Sequence, residues 1–207
     1  MDFYRVALEE LCAGNFIYPC TCSRKDIQAA THAPHANDDG EPIYPGTCRG
    51  RRDACSVMRE KTSDADSRIT RHAALRFRVP DGETIAFTDG NFGEQKFIAG
   101  KDFGDFVVWR GDDVPAYQLA CVVDDAAMQI TEVVRGADLL VSTARQILLY
   151  RALSLTAPQF FHCALMLDDS GERLAKRHDA LSLRMLREHG ETPEALRQKM
   201  TQPGFAP

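Results

Sequence analysis

The stretch from Gln129 to Leu167 constrains the fold more than any other part of the chain. "QITEVVRG" reads as a buried strand, "STARQILLYRALS" at 142–154 as a helix, and "FHCALML" as a second buried strand. Ile147, Leu148 and Ala152 share one helical face, and Thr143 and Gln146 stand at capping-box spacing. A strand, a helix and a strand in succession predict an α/β core.

The flanking elements are shorter. Residues 2–13 predict a helix, with Phe3, Val6, Ala7, Leu8 and Leu11 at three-to-four spacing and Gly14-Asn15 as its stop. "FIYPCTC" is a short extended segment, and 23–48 is rich in turn formers. "ALRFRVPDGETIAFTD" predicts a hairpin: Leu75, Phe77 and Val79 alternate, Pro80-Asp81-Gly82 turns, and Ile85 and Phe87 return. "DFVVWR" has strand character, and "AYQLACVVDD" reads as helix then loop. Near the end, "DALSLRMLREHG" predicts a helix stopped by Gly190, and "TPEAL" opens another with Thr192 as cap and Pro193 at its first position.

With 207 residues, 44% hydrophobic and 27% charged, the chain can bury a real core of one to two domains. It has neither a run approaching the ~18 apolar residues of a membrane span nor the basic-then-apolar order of a signal peptide. The expectation is a soluble cytoplasmic protein with no membrane partner. A net charge of −5 argues against indiscriminate nucleic-acid coating. Residues 48–61 nevertheless hold five Lys/Arg against two Asp/Glu.

Three groups could carry chemistry. Cys12, Cys121 and Cys163 have apolar neighbours and read as small buried hydrophobes, whereas Cys20, Cys22 and Cys48 lie in a Pro/Gly-rich stretch. Soft thiolates at that spacing suit zinc, which takes four ligands in a tetrahedron. Tyr44, His32 or His35 would supply the fourth, and the plainer account is three reduced surface cysteines. Secondly, Arg135 ends a strand with Gly136 behind it, where ligands bind in open α/β sheets, and can clamp a carboxylate. Tyr117 could hydrogen-bond beside it. On position alone, a surface arginine and a half-buried tyrosine explain both. Asp124 and Asp125, taken as extended, point to opposite faces and make a poor two-carboxylate pair; one could hold an ammonium or a ribose. Thirdly, Arg173, Leu174, Ala175, Lys176 and Arg177 form a basic turn before a helix. Lys176 there could reach phosphate oxygens, or simply face solvent.

Taken in order, the cysteine loop, "PAYQLACVVDDAAMQITEVVRGADLL", "TARQILLYRAL" and "LMLDDSGERLAKRHDAL" resemble the catalytic region of glutamyl-tRNA synthetases. They resemble most the short paralogues within that family, the glutamyl-queuosine tRNA(Asp) synthetases, over about residues 2–190. The resemblance implies a class I synthetase, Rossmann-like nucleotide-binding core of which the second half is present, with an inserted zinc-bearing, hairpin-containing subdomain. The implied boundaries are 1–18 for a remnant of the first half and 19–103 for the insertion. The second half then covers 104–165, and 166–207 holds the phosphate loop and C-terminal helices. "RLAKR" at 173–177 takes the place of the family's "KMSKS" loop, keeping Lys176 as the catalytic and ATP-binding residue. Tyr117 and Arg135 fall where the family binds glutamate. Cys20, Cys22, Tyr44 and Cys48 fall on the paralogues' zinc ligands, which selects Tyr44 over the histidines.

The implied reaction is ATP-dependent activation of L-glutamate to glutamyl-adenylate, then transfer to queuosine at the wobble position of tRNA(Asp). Zn²⁺ and ATP-bound Mg²⁺ are the implied cofactors, and a monomer the implied state. One departure stands out. The family's "HIGH"-like motif is missing from the sequence, so the first half of the nucleotide fold is expected to lie outside it, by truncation or a miscalled start. The sequence also ends soon after the helix at 179–189, with no room for an anticodon-binding domain. Two alternatives follow: a fragment of a glutamyl-tRNA synthetase, and a catalytically inactive zinc-containing RNA-binding module.

Overall fold

The N-terminal helix forms as α1 (Asp2–Ala13) in the computed structural model, which describes residues 1–23, 25–27, 43–51, 73–165 and 183–200. The chain reverses at Gly14-Asn15, where Asn15 takes φ 55° and the Phe16 amide returns 2.9 Å to the Leu11 carbonyl. Ala7, Leu8, Leu11 and Cys12 are buried, while Phe3 and Val6 are exposed. Only one side of the predicted apolar repeat reaches the core.

Strands β1 (Ile17–Cys20), β2 (Ala74–Phe77) and β5 (Phe106–Trp109) make an antiparallel sheet in the order β1-β2-β5. A second sheet has the order β4-β3-β7-β6, from β3 (Thr84–Asp89), β4 (Gly93–Ile98), β6 (Glu132–Gly136) and β7 (Gln159–Cys163). The hairpin predicted across 80–82 does not form. The turn is real, with Gly82 at φ +82° and its amide 2.8 Å from the Ala99 carbonyl, but it passes the chain from one sheet to the other. The aromatic partners explain this. Phe77 stacks on Phe16 and Phe106, whereas Phe87 packs with Phe97 and Phe160. The actual hairpin is β3–β4, antiparallel from Thr84–Ile98 to Asp89–Gly93. β3 also runs parallel to β7, pairing at Asp89 and Phe160.

The strand–helix–strand unit holds, with two corrections. After β6 a short 3₁₀ turn (Ala137–Leu139) leads into helix α3 (Leu140–Ala152), and β7 returns beside β6. β6 lies at the end of the described strand order, so Val134 is exposed rather than buried. The helix starts at Leu140, three residues before the predicted cap. Thr143 therefore sits inside it, with its hydroxyl donating back to the Leu139 carbonyl at 3.1 Å. Val141 to Tyr150 are all buried, Ser142, Thr143, Arg145 and Gln146 among them. A helix covered on every side shows little amphipathic stripe in its sequence.

The helix α2 (Tyr117–Ala127) packs on α3 through Leu119, Val122 and Val123. It runs through Asp124 and Asp125, correcting the extended reading of that pair. Cys12 is buried, Cys121 half-buried and Cys163 exposed, so Cys163 is not the core residue expected.

Residues 1–162 form one compact unit and 163–207 a second. The second contains α4 (Leu183–Glu188) and α5 (Pro193–Met200). Its local punctuation is as predicted. Gly190 takes φ +84° with its amide on the Arg187 carbonyl, and Thr192 Oγ1 accepts from the Ala195 amide at 3.2 Å. Among the described residues, no helix is long and apolar enough to cross a membrane.

Candidate functional site

Two polar constellations stand out. The first is at the end of β1. Cys20 closes the strand, Cys22 follows it, and Tyr44 and Cys48 come from the loop at 43–51. The three Sγ atoms lie within 4.8 Å of one another, with Cys22 and Cys48 3.6 Å apart. The Tyr44 hydroxyl is 3.4 Å from both Cys20 and Cys22 Sγ. Zn–S bonds of about 2.3 Å in a tetrahedron require S···S separations of about 3.8 Å, so this donor set has the dimensions of a zinc site. These thiols are reduced but not superficial. Cys20, Tyr44 and Cys48 are buried with Tyr18 in a small cluster of their own.

The electrostatics suit a cation. Burial pushes the Tyr44 phenol well above its ordinary value, and the surrounding thiols push it further. Burial also raises the Cys22 thiol. Cys48 is lowered to about 7: burial opposes this, but a Thr21 backbone hydrogen bond, contacts with Tyr44 and Cys22, and nearby Arg51 more than offset it. A metal ion binding here would displace the remaining protons. The Tyr44 oxygen already accepts the Cys48 amide at 2.9 Å, which leaves it presented as an acceptor.

The supporting residues come from the sheet. Buried Arg76 on β2 donates from Nε to Cys20 Sγ (3.3 Å) and from Nη1 to the Asp105 carbonyl (3.0 Å), and its guanidinium lies 4.0 Å over the Tyr44 ring. Asp105, also buried, accepts from the Tyr18 hydroxyl at 2.5 Å and the Val79 amide at 2.8 Å. Arg49 ties the loop down through Asp81, the Val79 carbonyl and Asp105. Gly104 lets the backbone pass under Tyr44: a Cβ there would lie 2.9 Å from Ile43 Cγ2 and 3.1 Å from the Tyr44 nitrogen.

The second constellation surrounds Arg135 near the end of β6. Its Nη2 donates to Thr143 Oγ1 (2.6 Å) and Gln146 Oε1 (2.8 Å), its Nε to His162 Nε2 (3.2 Å), and its guanidinium lies 5.6 Å from the Phe160 ring centroid. These three residues engage Nε and Nη2 and leave Nη1 to other partners. Tyr117, at the start of α2 and 53% exposed, lies within hydrogen-bonding influence of both Arg135 and Cys121. Burial raises its phenol, with Cys121 adding to the rise and Arg135 opposing it. About two turns further along the helix, the field of Arg135 also reaches Asp125, whose carboxyl burial holds above the usual range. Asp125 accepts from the Tyr150 hydroxyl at 3.4 Å, whereas Asp124 is occupied by the Tyr4 hydroxyl at 2.6 Å. A guanidinium nitrogen, a phenol and a carboxylate thus converge at the sheet's end. That set can meet an amino acid's carboxylate and ammonium together.

Across residues 1–207 the chain matches the family model "tRNA synthetases class I (E and Q), catalytic domain". The chain belongs to this family. Among curated family members it is 48% identical over 195 residues to a glutamyl-Q tRNA(Asp) synthetase from Symbiobacterium thermophilum, covering 94% of this chain and 58% of that protein. It is 40% identical over 197 residues to a glutamate–tRNA ligase from Nitrosococcus oceani, covering 94% of this chain and 38% of that one. A crystal structure of a glutamate tRNA ligase from Elizabethkingia meningosepticum in complex with its amino acid superposes with TM-score 0.65 at 25% identity, over 88% of this chain and 36% of that one. The chain therefore spans little more than half of the glutamyl-Q relative and less of the ligases. Its mixed α/β sheets are those of a class I synthetase catalytic fold.

Set against the family pattern, the structure brings Cys20, Cys22, Tyr44 and Cys48 together, and Tyr117 with Arg135. Arg173, Leu174, Ala175, Lys176 and Arg177, and also His32 and His35, lie outside the described residues. Sequence reasoning missed Arg76, Asp105, His162, Thr143 and Gln146. The one available signal was their setting, since each is a polar residue inside a strand or helix or, for Asp105, directly before the apolar strand β5.

Proposed function

We propose that this chain carries the glutamate-selecting and zinc-bearing part of an aminoacyl-tRNA synthetase paralogue, a ligase that activates L-glutamate with ATP and transfers it to queuosine at the wobble position of tRNA(Asp). The observation that carries the reading is the Cys20–Cys22–Tyr44–Cys48 cluster in a chain 45–48% identical to relatives named glutamyl-Q tRNA(Asp) synthetase. Arg135 takes a glutamate carboxylate through Nη1, Tyr117 hydrogen-bonds beside it, and Asp125 faces the ammonium. Lys176, in the loop formed by Arg173, Leu174, Ala175, Lys176 and Arg177, stabilises charge on the ATP phosphates, with Mg²⁺ accompanying ATP. Cys20, Cys22, Tyr44 and Cys48 would hold Zn²⁺, which would fix the loop rather than act on substrate. Protein groups here work by position and preorganised charge. The domain plan 1–18, 19–103, 104–165 and 166–207 follows from the same reading, as do a monomer and a cytoplasmic setting.

The test is ATP–pyrophosphate exchange without tRNA, run on the chain and on a fusion that supplies the unmatched remainder of a relative. The fusion should exchange with L-glutamate and fail with L-glutamine. Exchange that requires tRNA would instead favour a glutamate–tRNA ligase, and its absence in every format would favour the inactive RNA-binding module.

A further inference from the structure

Arg135 hangs from a buried polar chain that the proposed chemistry does not otherwise use. Asp89 ends β3, His162 lies in β7, and both side chains are fully buried. Asp89 Oδ2 is 2.6 Å from His162 Nδ1. The same carboxylate accepts the backbone amides of Asn91 (3.1 Å), Phe92 (2.9 Å) and His162 (3.1 Å). Burial opposes its charge, but the His162 contact and those amides hold its carboxyl below the usual range. An ionised carboxylate only accepts, so Nδ1 carries the proton. On the other edge of the ring, Nε2 meets Arg135 Nε at 3.2 Å and Thr143 Oγ1 at 3.0 Å. A guanidinium has no lone pair to offer, so Nε2 must accept from it, and the single Thr143 hydroxyl proton is then shared between Nε2 and the Leu139 carbonyl. An imidazolium would set N–H against N–H and bury a second cation beside the first. The ring is therefore the neutral Nδ1–H tautomer, with Nε2 as a fixed acceptor.

We propose that His162, locked by Asp89, is a positioning residue that orients Arg135 for the substrate carboxylate. Nε is held by His162 and Nη2 by Thr143 and Gln146, which leaves Nη1 as the presented donor. The arrangement parallels metal-site histidines, whose far nitrogen is set by a carboxylate behind them, but here the held group is a guanidinium. The proposal rests on the reading of Arg135 as the glutamate-binding group.

Two variants separate orientation from packing. His162→Asn keeps a donor near the Nδ1 position, toward Asp89, and removes the acceptor for Arg135. His162→Gln places an amide oxygen near the Nε2 position and keeps the acceptor. The 207-residue chain, labelled with ¹⁵N in histidine and arginine, should show His162 protonated at Nδ1 alone, and a scalar coupling between its Nε2 and Arg135 Nε. The Arg135 Nε–H should exchange slowly in wild type and His162→Gln, and rapidly in His162→Asn. Calorimetric L-glutamate affinity should fall about 10- to 100-fold in His162→Asn, the scale of one hydrogen bond to a charged group, and stay within about threefold in His162→Gln. A protonated Nε2, or equal losses in the two variants at matched melting temperatures, would overturn the proposal. If the tautomer and coupling are present but neither the wild-type chain nor the fusion that supplies the remainder of a relative binds glutamate, the assignment of Arg135 to substrate fails. Orientation by His162 is then decided by the Nε–H exchange rates alone.

Discussion

Replacing Arg76 with methionine is the sharpest probe of the thiol–phenol cluster. Methionine keeps most of the side chain's volume and removes its charge. Three thiolates and a phenolate around a zinc dication carry a net charge of −2, and Arg76 touches two of the four donors: Nε lies 3.3 Å from Cys20 Sγ and the guanidinium 4.0 Å over the Tyr44 ring. A unit charge pair about 4 Å apart at an effective dielectric near 20 is worth about 4 kcal/mol. The buried cation meets a delocalised charge, so a loss of roughly 2–4 kcal/mol of zinc binding is expected, about 30- to 1,000-fold in affinity. Without metal, burial keeps the Cys22 thiol and the Tyr44 phenol protonated and the cluster carries less negative charge, so the same substitution should cost mainly one charged hydrogen bond and the ring contact, about 2 kcal/mol. The assay is competitive zinc titration with a chromophoric chelator, combined with urea unfolding in excess zinc and in excess chelator. Arg76→Met should weaken zinc and destabilise the loaded protein more than the stripped one. Equal destabilisation in both, with unchanged zinc affinity, would refute the reasoning and leave Arg76 a packing residue.

Further outcomes follow from the same geometry. Gly104→Ala should lower stability by about 1–3 kcal/mol and weaken zinc retention, because its Cβ meets the Tyr44 backbone; unfolding and metal analysis read both effects. Arg135→Ala should weaken glutamate use by about 2–5 kcal/mol in exchange kinetics, with ATP dependence little changed. Lys176→Ala should lower kcat for adenylate formation about 10²-fold and shift ATP KM much less, the signature of a contact made in the transition state. Asp89, whose folded value is depressed, adds stability that is complete above its unfolded value of about 4 and is lost as pH falls through the lower folded value. Asp89→Asn should flatten that acid limb in denaturation measured from pH 5 down to pH 2.

What could be read from the sequence was what neighbouring residues decide. Gly14-Asn15, Gly190 and Thr192-Pro193 act through local backbone chemistry, and each turn or cap stands where that chemistry puts it. Partner choice is different. Leu75 and Phe77 alternate equally well for any sheet, and only the positions of Phe16 and Phe106 tell β2 to leave β3. Thr143 stood at a capping interval, but a helix buried on all sides drew its boundary three residues earlier and turned the hydroxyl toward Arg135. At the candidate sites, thiols two and twenty-six residues from Cys22 were visible as a possible ligand set through residue type and spacing. Arg76 and His162 were not, because their roles depend on what lies across the sheet: Cys20 and Tyr44 for one, Asp89 and Arg135 for the other.

Labelled glutamate followed onto RNA would show which tRNA this protein modifies. The protein its gene encodes in full would be incubated with ATP, Mg²⁺ and [¹⁴C]glutamate, and with tRNA(Asp) bearing either queuosine or guanosine at the wobble position, or with tRNA(Glu). Base-labile label is expected on queuosine-bearing tRNA(Asp) alone, released with the anticodon fragment after nuclease digestion. Label at the 3′ end of tRNA(Glu), or equal labelling of tRNA(Asp) with and without queuosine, would contradict it.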